Sequence, residues 1–158
     1  MTTQEHTMPA TETLGTGGCL VLGVDGTPGS RRAAEYATHL AAALDAPVVA
    51  IFALRPAAEF LLDLPPSSVE EWTGLLEREL RDDWCRPLAK AGIPYTTQLV
   101  EREPVAALID AADRHRAAMI VVGANHHGSL HRLAGSKIAR LVHEAHRPVV
   151  VVPPERGT

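Results

Sequence analysis

Between Gly123 and Ser136 the chain reads GANHHGSLHRLAGS, a stretch with three glycines and three histidines. Glycines let a backbone approach an anion closely and take positive φ. Gly135-Ser136 stands just ahead of an apparent helix, whose first N–H groups and dipole would favour a phosphate. Ser136 adds a hydroxyl donor and Lys137 a positive charge at the same end. A second chemistry is metal binding. His127 and His131 are four apart, a helix-face spacing that suits zinc, with His126 and His143 as further candidates. No acidic or cysteine ligand stands near them in sequence, and Gly128 interrupts the helix. The expectation is therefore no metal, and solvated loop histidines that would make any binding there pH-sensitive.

A third candidate is Asp25, in VDGTPGS at the end of the first apolar run. It is either a turn former bonding its own backbone or a ligand contact at a strand tip. No Ser/His/Asp set, no metal-holding carboxylate pair and no dedicated base stand out, so no catalytic residue is assigned. A phosphoacceptor switch would want clustered acids at the first strand and a lysine at a later strand end. Here the first strand offers one acid and the fifth ends in Pro153.

These residues need a frame. Cys19–Val24, Val48–Leu54, Pro94–Val100, Ala118–Val122 and Pro148–Val152 read as strands; four are continuous apolar runs of the kind covered on both faces. The third is more polar and begins with proline, as an edge strand would. Between them lie helical periodicities. In the first, Ser30 is the expected cap, and Ala33, Ala37, Leu40, Ala41 and Leu44 form the apolar face. In the second, from Ser67 or Ser68, the face is Val69, Trp72, Leu75, Leu76, Leu80, Trp84 and Leu88, with Pro87 kinking or ending the helix. In the third, opened by Pro104, it is Val105, Leu108, Ile109 and Ala112. In the last, Ser136 to Ala145, Ile138, Leu141 and Val142 are expected to be buried. The order βαβαβαβαβ predicts an α/β domain with a parallel sheet, helices on both faces, and ligands outside the carboxyl ends of the strands where strand order reverses.

Composition agrees. The chain has 158 residues, 46% of them hydrophobic and only 4% aromatic, so Ala, Val and Leu must fill the core. Residues 1–18 read as a disordered Thr/Gly-rich tail and 19–158 as one domain. A net charge of −4 without a basic patch speaks against nucleic acid. No apolar run is long enough to span a membrane, and the N-terminus lacks the marks of a secretory signal. Cys19 and Cys85 stand far apart with no CxxC, which suits reduced thiols in a cytoplasmic protein.

Three stretches together resemble the universal stress protein family: VDGTPGS from Val24; PVAALIDAADRHRAAMIVVGA; and LAGSKIARLVHEAHRPVVVVP. The likeness runs from Leu20 to Pro153. It implies a five-stranded parallel sheet in Rossmann-like order 3-2-1-4-5 and a homodimer paired through the last strand, Val149, Val150, Val151 and Val152. Four bare valines at an edge would be an aggregation hazard, which independently favours burial against a twin. Many family members bind ATP, carried with Mg, through G-x-x-G, nine residues, then G-[ST]; others lack the signature and bind no nucleotide. The nucleotide site implied here comprises Asp25, Ala53, Gly123, His126, Gly128, Gly135, Ser136 and Lys137. This chain departs from the signature. The second glycine is His126, unless Gly128 substitutes, the spacer is one residue short, and Ile138 stands where the family tends to have a small hydroxyl residue. Three readings follow: a cytoplasmic dimer binding ATP or a related adenine nucleotide, a nucleotide-free interaction dimer, or a weak ATP hydrolase.

Overall fold

The computed structural model describes residues 18–54, 66–124 and 136–155. The elements run β1 (Leu20–Gly23), α1 (Pro28–Leu44), β2 (Val48–Leu54), α2 (Pro66–Glu79), a π-helical turn (Leu80–Trp84), α3 (Arg86–Lys90), β3 (Tyr95–Glu101), α4 (Pro104–Arg114), β4 (Met119–Gly123), α5 (Lys137–Glu144) and β5 (Val149–Val152). All strand pairs are parallel and the order is β3-β2-β1-β4-β5, as expected. Leu20 pairs with Val48 on one side and Met119 on the other. The chain thus leaves β1 toward β2 and later returns to its opposite side as β4. The crevice between the carboxyl ends of β1 and β4 follows from that reversal.

Successive strand residues face opposite sides of the sheet, and each side has its own core. On one, Leu20, Leu22, Val48, Ala50 and Val121 pack against Ala33, Ala34, Ala37 and Ala41 of α1 and against Leu80, Trp84, Cys85 and Leu88. On the other, Val21, Val49, Ile51, Ile120 and Val122 meet Val105, Leu108, Ala111 and Ala112 of α4 and Leu141 of α5. This is why the strands read as unbroken apolar runs.

Helical periodicity overstated burial at four positions. Leu44 (47% exposed), Trp72 (42%), Leu75 (53%) and Val142 (55%) lie at the surface. Leu44 is the last residue of α1. Among the described residues, the second helical segment meets the core only from Leu76 onward, through Leu80, Trp84 and Leu88. Val142 follows Leu141, which takes the buried position on its short helix. Pro87 does not kink a continuous helix. The helix widens first, with Cys85 N–H donating to Leu80 O at 3.1 Å, and restarts with Pro87 in the first turn of α3, where a missing N–H is harmless. The edge strand β3 is as expected. The proposed tail lies almost wholly outside the described residues.

Both cysteines are free and buried. Burial pushes the Cys85 thiol up to about 12. Burial also raises Cys19, against a smaller opposing pull from a backbone hydrogen bond and Arg147. Both are inert thiols by that measure.

Candidate functional site

The first wall of the crevice is the turn after β1. Val24 N–H extends the ladder to Ile51 O at 3.0 Å. Asp25 then closes the strand. Its Oδ1 accepts from Thr27 N–H at 3.0 Å and Thr27 Oγ1 at 2.6 Å, and its own N–H donates to Ser30 Oγ at 3.0 Å. Ser30 N–H in turn donates to Thr27 Oγ1 at 3.3 Å. The α1 cap is therefore Thr27, not Ser30. The reason is Pro28: its fixed φ suits the first helical position, so the preceding hydroxyl becomes the cap. Ser30 lies inside the helix, buried, with its oxygen turned back onto Asp25. Asp25 thus is a turn former, as its plain structural role requires; its Oδ2 has no protein partner among the described residues.

The second wall is the end of β4. A Cβ placed on Gly123 would lie 1.9 Å from Gly29 O and 2.9 Å from Ser30 N. The end of β4 thus rests directly on the first turn of α1, and only glycine allows that approach. Beyond it, Ser136 caps α5, its Oγ accepting from Ala139 N–H at 3.1 Å, and Lys137 opens the helix, exposed.

Gly23, Asp25, Ala53, Leu108, Gly123 and Lys137 are among the residues that line one crevice of about 260 Å³. Of the sequence-derived candidates, Asp25, Ala53, Gly123 and Lys137 come together here, and Ser136 caps the helix that Lys137 begins. His126, Gly128 and Gly135 lie outside the described residues, as do His127 and His131. Among the described lining residues, Asp25 and Lys137 are the two ionisable ones, of opposite sign, and Ile51, Ala53, Pro104, Leu108 and Val122 add apolar surface. Such a lining offers a ligand a carboxylate acceptor, a cation and an apolar surface.

Two features escaped the sequence. Glu103 caps α4, accepting from Val105 N–H (3.3 Å) and Ala106 N–H (3.1 Å), and pairs with Arg140 of α5 at 3.2 Å. The hydrogen bond to Glu144, with Glu103 beside it, holds the Arg140 guanidinium above its ordinary value. An acidic residue directly before a first-turn proline was the available signal. The second is Trp84. A Cβ on Gly26, which has φ +77°, would fall 2.6 Å from Trp84 Cζ2, so the indole covers this turn. Phe52 meets the same ring edge-on, with centroids 5.0 Å apart at 84°.

Comparison with known proteins agrees with this architecture. Residues 20–153 match the universal stress protein family. Universal stress protein MJ0531 of Methanocaldococcus jannaschii is 29% identical over 138 residues, which is 84% of this chain and 80% of that protein. Universal stress protein Rv2623 of Mycobacterium tuberculosis is also 29% identical over 138 residues, but the chain spans only 46% of its length. A crystal structure of a universal stress protein in complex with cAMP superposes with a TM-score of 0.70 at 26% identity, covering 85% of this chain and 96% of the other. No helix among the described residues is long and apolar enough to cross a membrane. The chain belongs to the universal stress protein family.

Proposed function

We propose that the crevice between β1 and β4 binds an adenine nucleotide, ATP or a close relative, and that the protein is a regulatory or protective module rather than an enzyme. The observation that carries this reading is the convergence of Asp25, Ala53, Gly123 and Lys137 on one crevice at the strand-order reversal. Asp25 Oδ2 accepts from the ribose or base. Ala53, at the end of β2, offers its backbone to the base. Lys137 and the Ser136-capped start of α5 receive phosphate. Gly135, Gly128 and His126 complete the phosphate side in this proposal. Mg would arrive on the phosphates; Asp25 is the single carboxylate among the described lining residues, and one of its oxygens is engaged by Thr27. The cAMP complex of a relative supports the adenine class rather than any particular phosphate chain.

The same reading includes a cytoplasmic homodimer joined through Val149, Val150, Val151 and Val152. Its support is the position of β5 at the sheet edge, paired with β4 alone among the described strands. Sedimentation should give twice the chain mass, and lysine at Val151 should return a monomer.

Thermal unfolding with Mg-ATP, AMP, cAMP and GTP tests the nucleotide. Ligand at about 100 times its Kd stabilises by about 2.7 kcal/mol, roughly 5–10 °C for a domain of this size. A saturable shift with adenine nucleotides and a weaker one with GTP is expected. A second reading, a nucleotide-free interaction dimer, is favoured by one observation: Gly123 is already required by its contact with Gly29, so that glycine needs no phosphate to explain it. A dimer with no shift at millimolar nucleotide would select it.

A further inference from the structure

We propose that Trp84 is a positioning residue for the ligand crevice, with the π-helical turn delivering its indole as a strut beneath the Asp25–Ser30 turn. The inference rests on the nucleotide reading for its functional consequence and on geometry for the strut itself. The turn is held on two sides. From within, it is tied by the Asp25, Thr27 and Ser30 bonds described above. From below, the Trp84 ring lies so close to Gly26 that an added Cβ would meet Cζ2 at 2.6 Å, Cε2 at 2.9 Å and Nε1 at 3.2 Å. Trp84 is buried and its ring is itself braced by Phe52. Phe52 lies between Ile51 and Ala53, two β2 residues that line the crevice.

The indole therefore touches β2, through Phe52, and the turn that follows β1, through Gly26. Trp84's neighbour Asp83 adds a tie on the surface, pairing with Arg31 of α1 at 3.3 Å and with Arg86 at 3.5 Å. The π turn allows this. Its wider ring, closed by Cys85 N–H to Leu80 O, puts Trp84 and Cys85 side by side in the core before α3 restarts. Extra residues of this kind inside helices recur at functional sites. Gly26 is the matching part. Its positive φ lets the chain turn, and its missing side chain leaves room for the ring. Asp25 is the adjacent residue, so a change in the height of Gly26 over the indole moves the carboxylate at the crevice mouth.

Two readouts at 25 °C test this, on Trp84→Leu, Trp84→Phe and Gly26→Ala. Amide hydrogen exchange reads the turn without any ligand. Trp84→Leu should accelerate exchange at Asp25, Thr27 and Ser30 at least tenfold while the β2 and β4 amides keep their protection, and Trp84→Phe should restore most of the difference. Calorimetry with AMP reads the site. Trp84→Leu should weaken binding about tenfold or more, Gly26→Ala by a similar factor, and Gly26→Ala/Trp84→Leu should bind better than Gly26→Ala alone. Unchanged turn exchange in a folded Trp84→Leu protein overturns the strut. Accelerated exchange with unchanged AMP affinity overturns its link to the ligand. If the wild type binds no AMP, the nucleotide reading fails by itself, and the exchange data still decide whether Trp84 positions the turn.

Discussion

The crevice lies between two helix starts that use the same cap chemistry to different ends. At α1, Thr27 caps, Pro28 follows, and Asp25 stands in front of the turn with one oxygen bound to Thr27. The turn is closed, pressed under Gly123 and over Trp84, and carries negative charge toward the crevice. At α5, Ser136 caps and Lys137 follows, exposed and positive. A hydroxyl cap alone therefore does not mark an anion site. The charge beside it differs: in the proposed nucleotide mode Asp25, ahead of α1, would face a donor such as a ribose hydroxyl, and Lys137, at the start of α5, a phosphate.

The comparison yields predictions of decreasing size. Gly123→Val should be the most damaging, because its side chain would occupy the space of Gly29 O. A loss of about 3 kcal/mol is expected from such overpacking, read as a midpoint lower by roughly 6–12 °C. A midpoint within a degree of wild type would mean that the two walls are not in contact.

The two caps should differ when removed. Thr27→Ala loses a cap and the hydroxyl bond to Asp25 together, while the Thr27 N–H bond to Asp25 stays, about 2 kcal/mol at the upper end for caps, whereas Ser136→Ala loses the bond to Ala139 N–H, about 1 kcal/mol. Denaturant unfolding of both variants would show this order; equal losses would deny the closed turn its extra stability.

The smallest effect separates stability from binding. In Lys137→Glu an acid replaces a base at a helix start, so stability should hold or rise slightly. Affinity for ATP should nevertheless drop about tenfold, equivalent to about 1.4 kcal/mol, and affinity for adenosine should change little. Parallel losses for both ligands would remove Lys137 from the phosphate end.

Much of this frame was legible before the structure. Buried parallel strands are continuous apolar runs, so β1, β2, β4 and β5 announced themselves, and Asp25 and Gly123 fell at the reversal point by topology alone. What periodicity cannot give is how far a helix overlaps the sheet. It marked Trp72, Leu75, Leu76, Leu80 and Trp84 as one face, yet Trp72 and Leu75 are exposed while Leu80 and Trp84 are buried. The mistaken cap at Ser30 had a local cause, since Pro28 at the first helical position shifts the cap to Thr27. The Trp84–Gly26 contact had no local signal, because it joins segments that meet only after the sheet is assembled. The loop bearing His126, Gly128 and Gly135 lies outside the described residues, so on the phosphate side Ser136 and Lys137 carry the argument.

The central claim is that the crevice is an adenine nucleotide site. Titration calorimetry of the full chain with Mg-ATP and AMP tests it most directly. The account predicts saturable binding at one site per chain, weakened for ATP by Lys137→Glu while the variant's unfolding midpoint is unchanged or raised. Absence of any binding heat at millimolar ATP, AMP and cAMP across two temperatures, in protein shown to be folded, would contradict it.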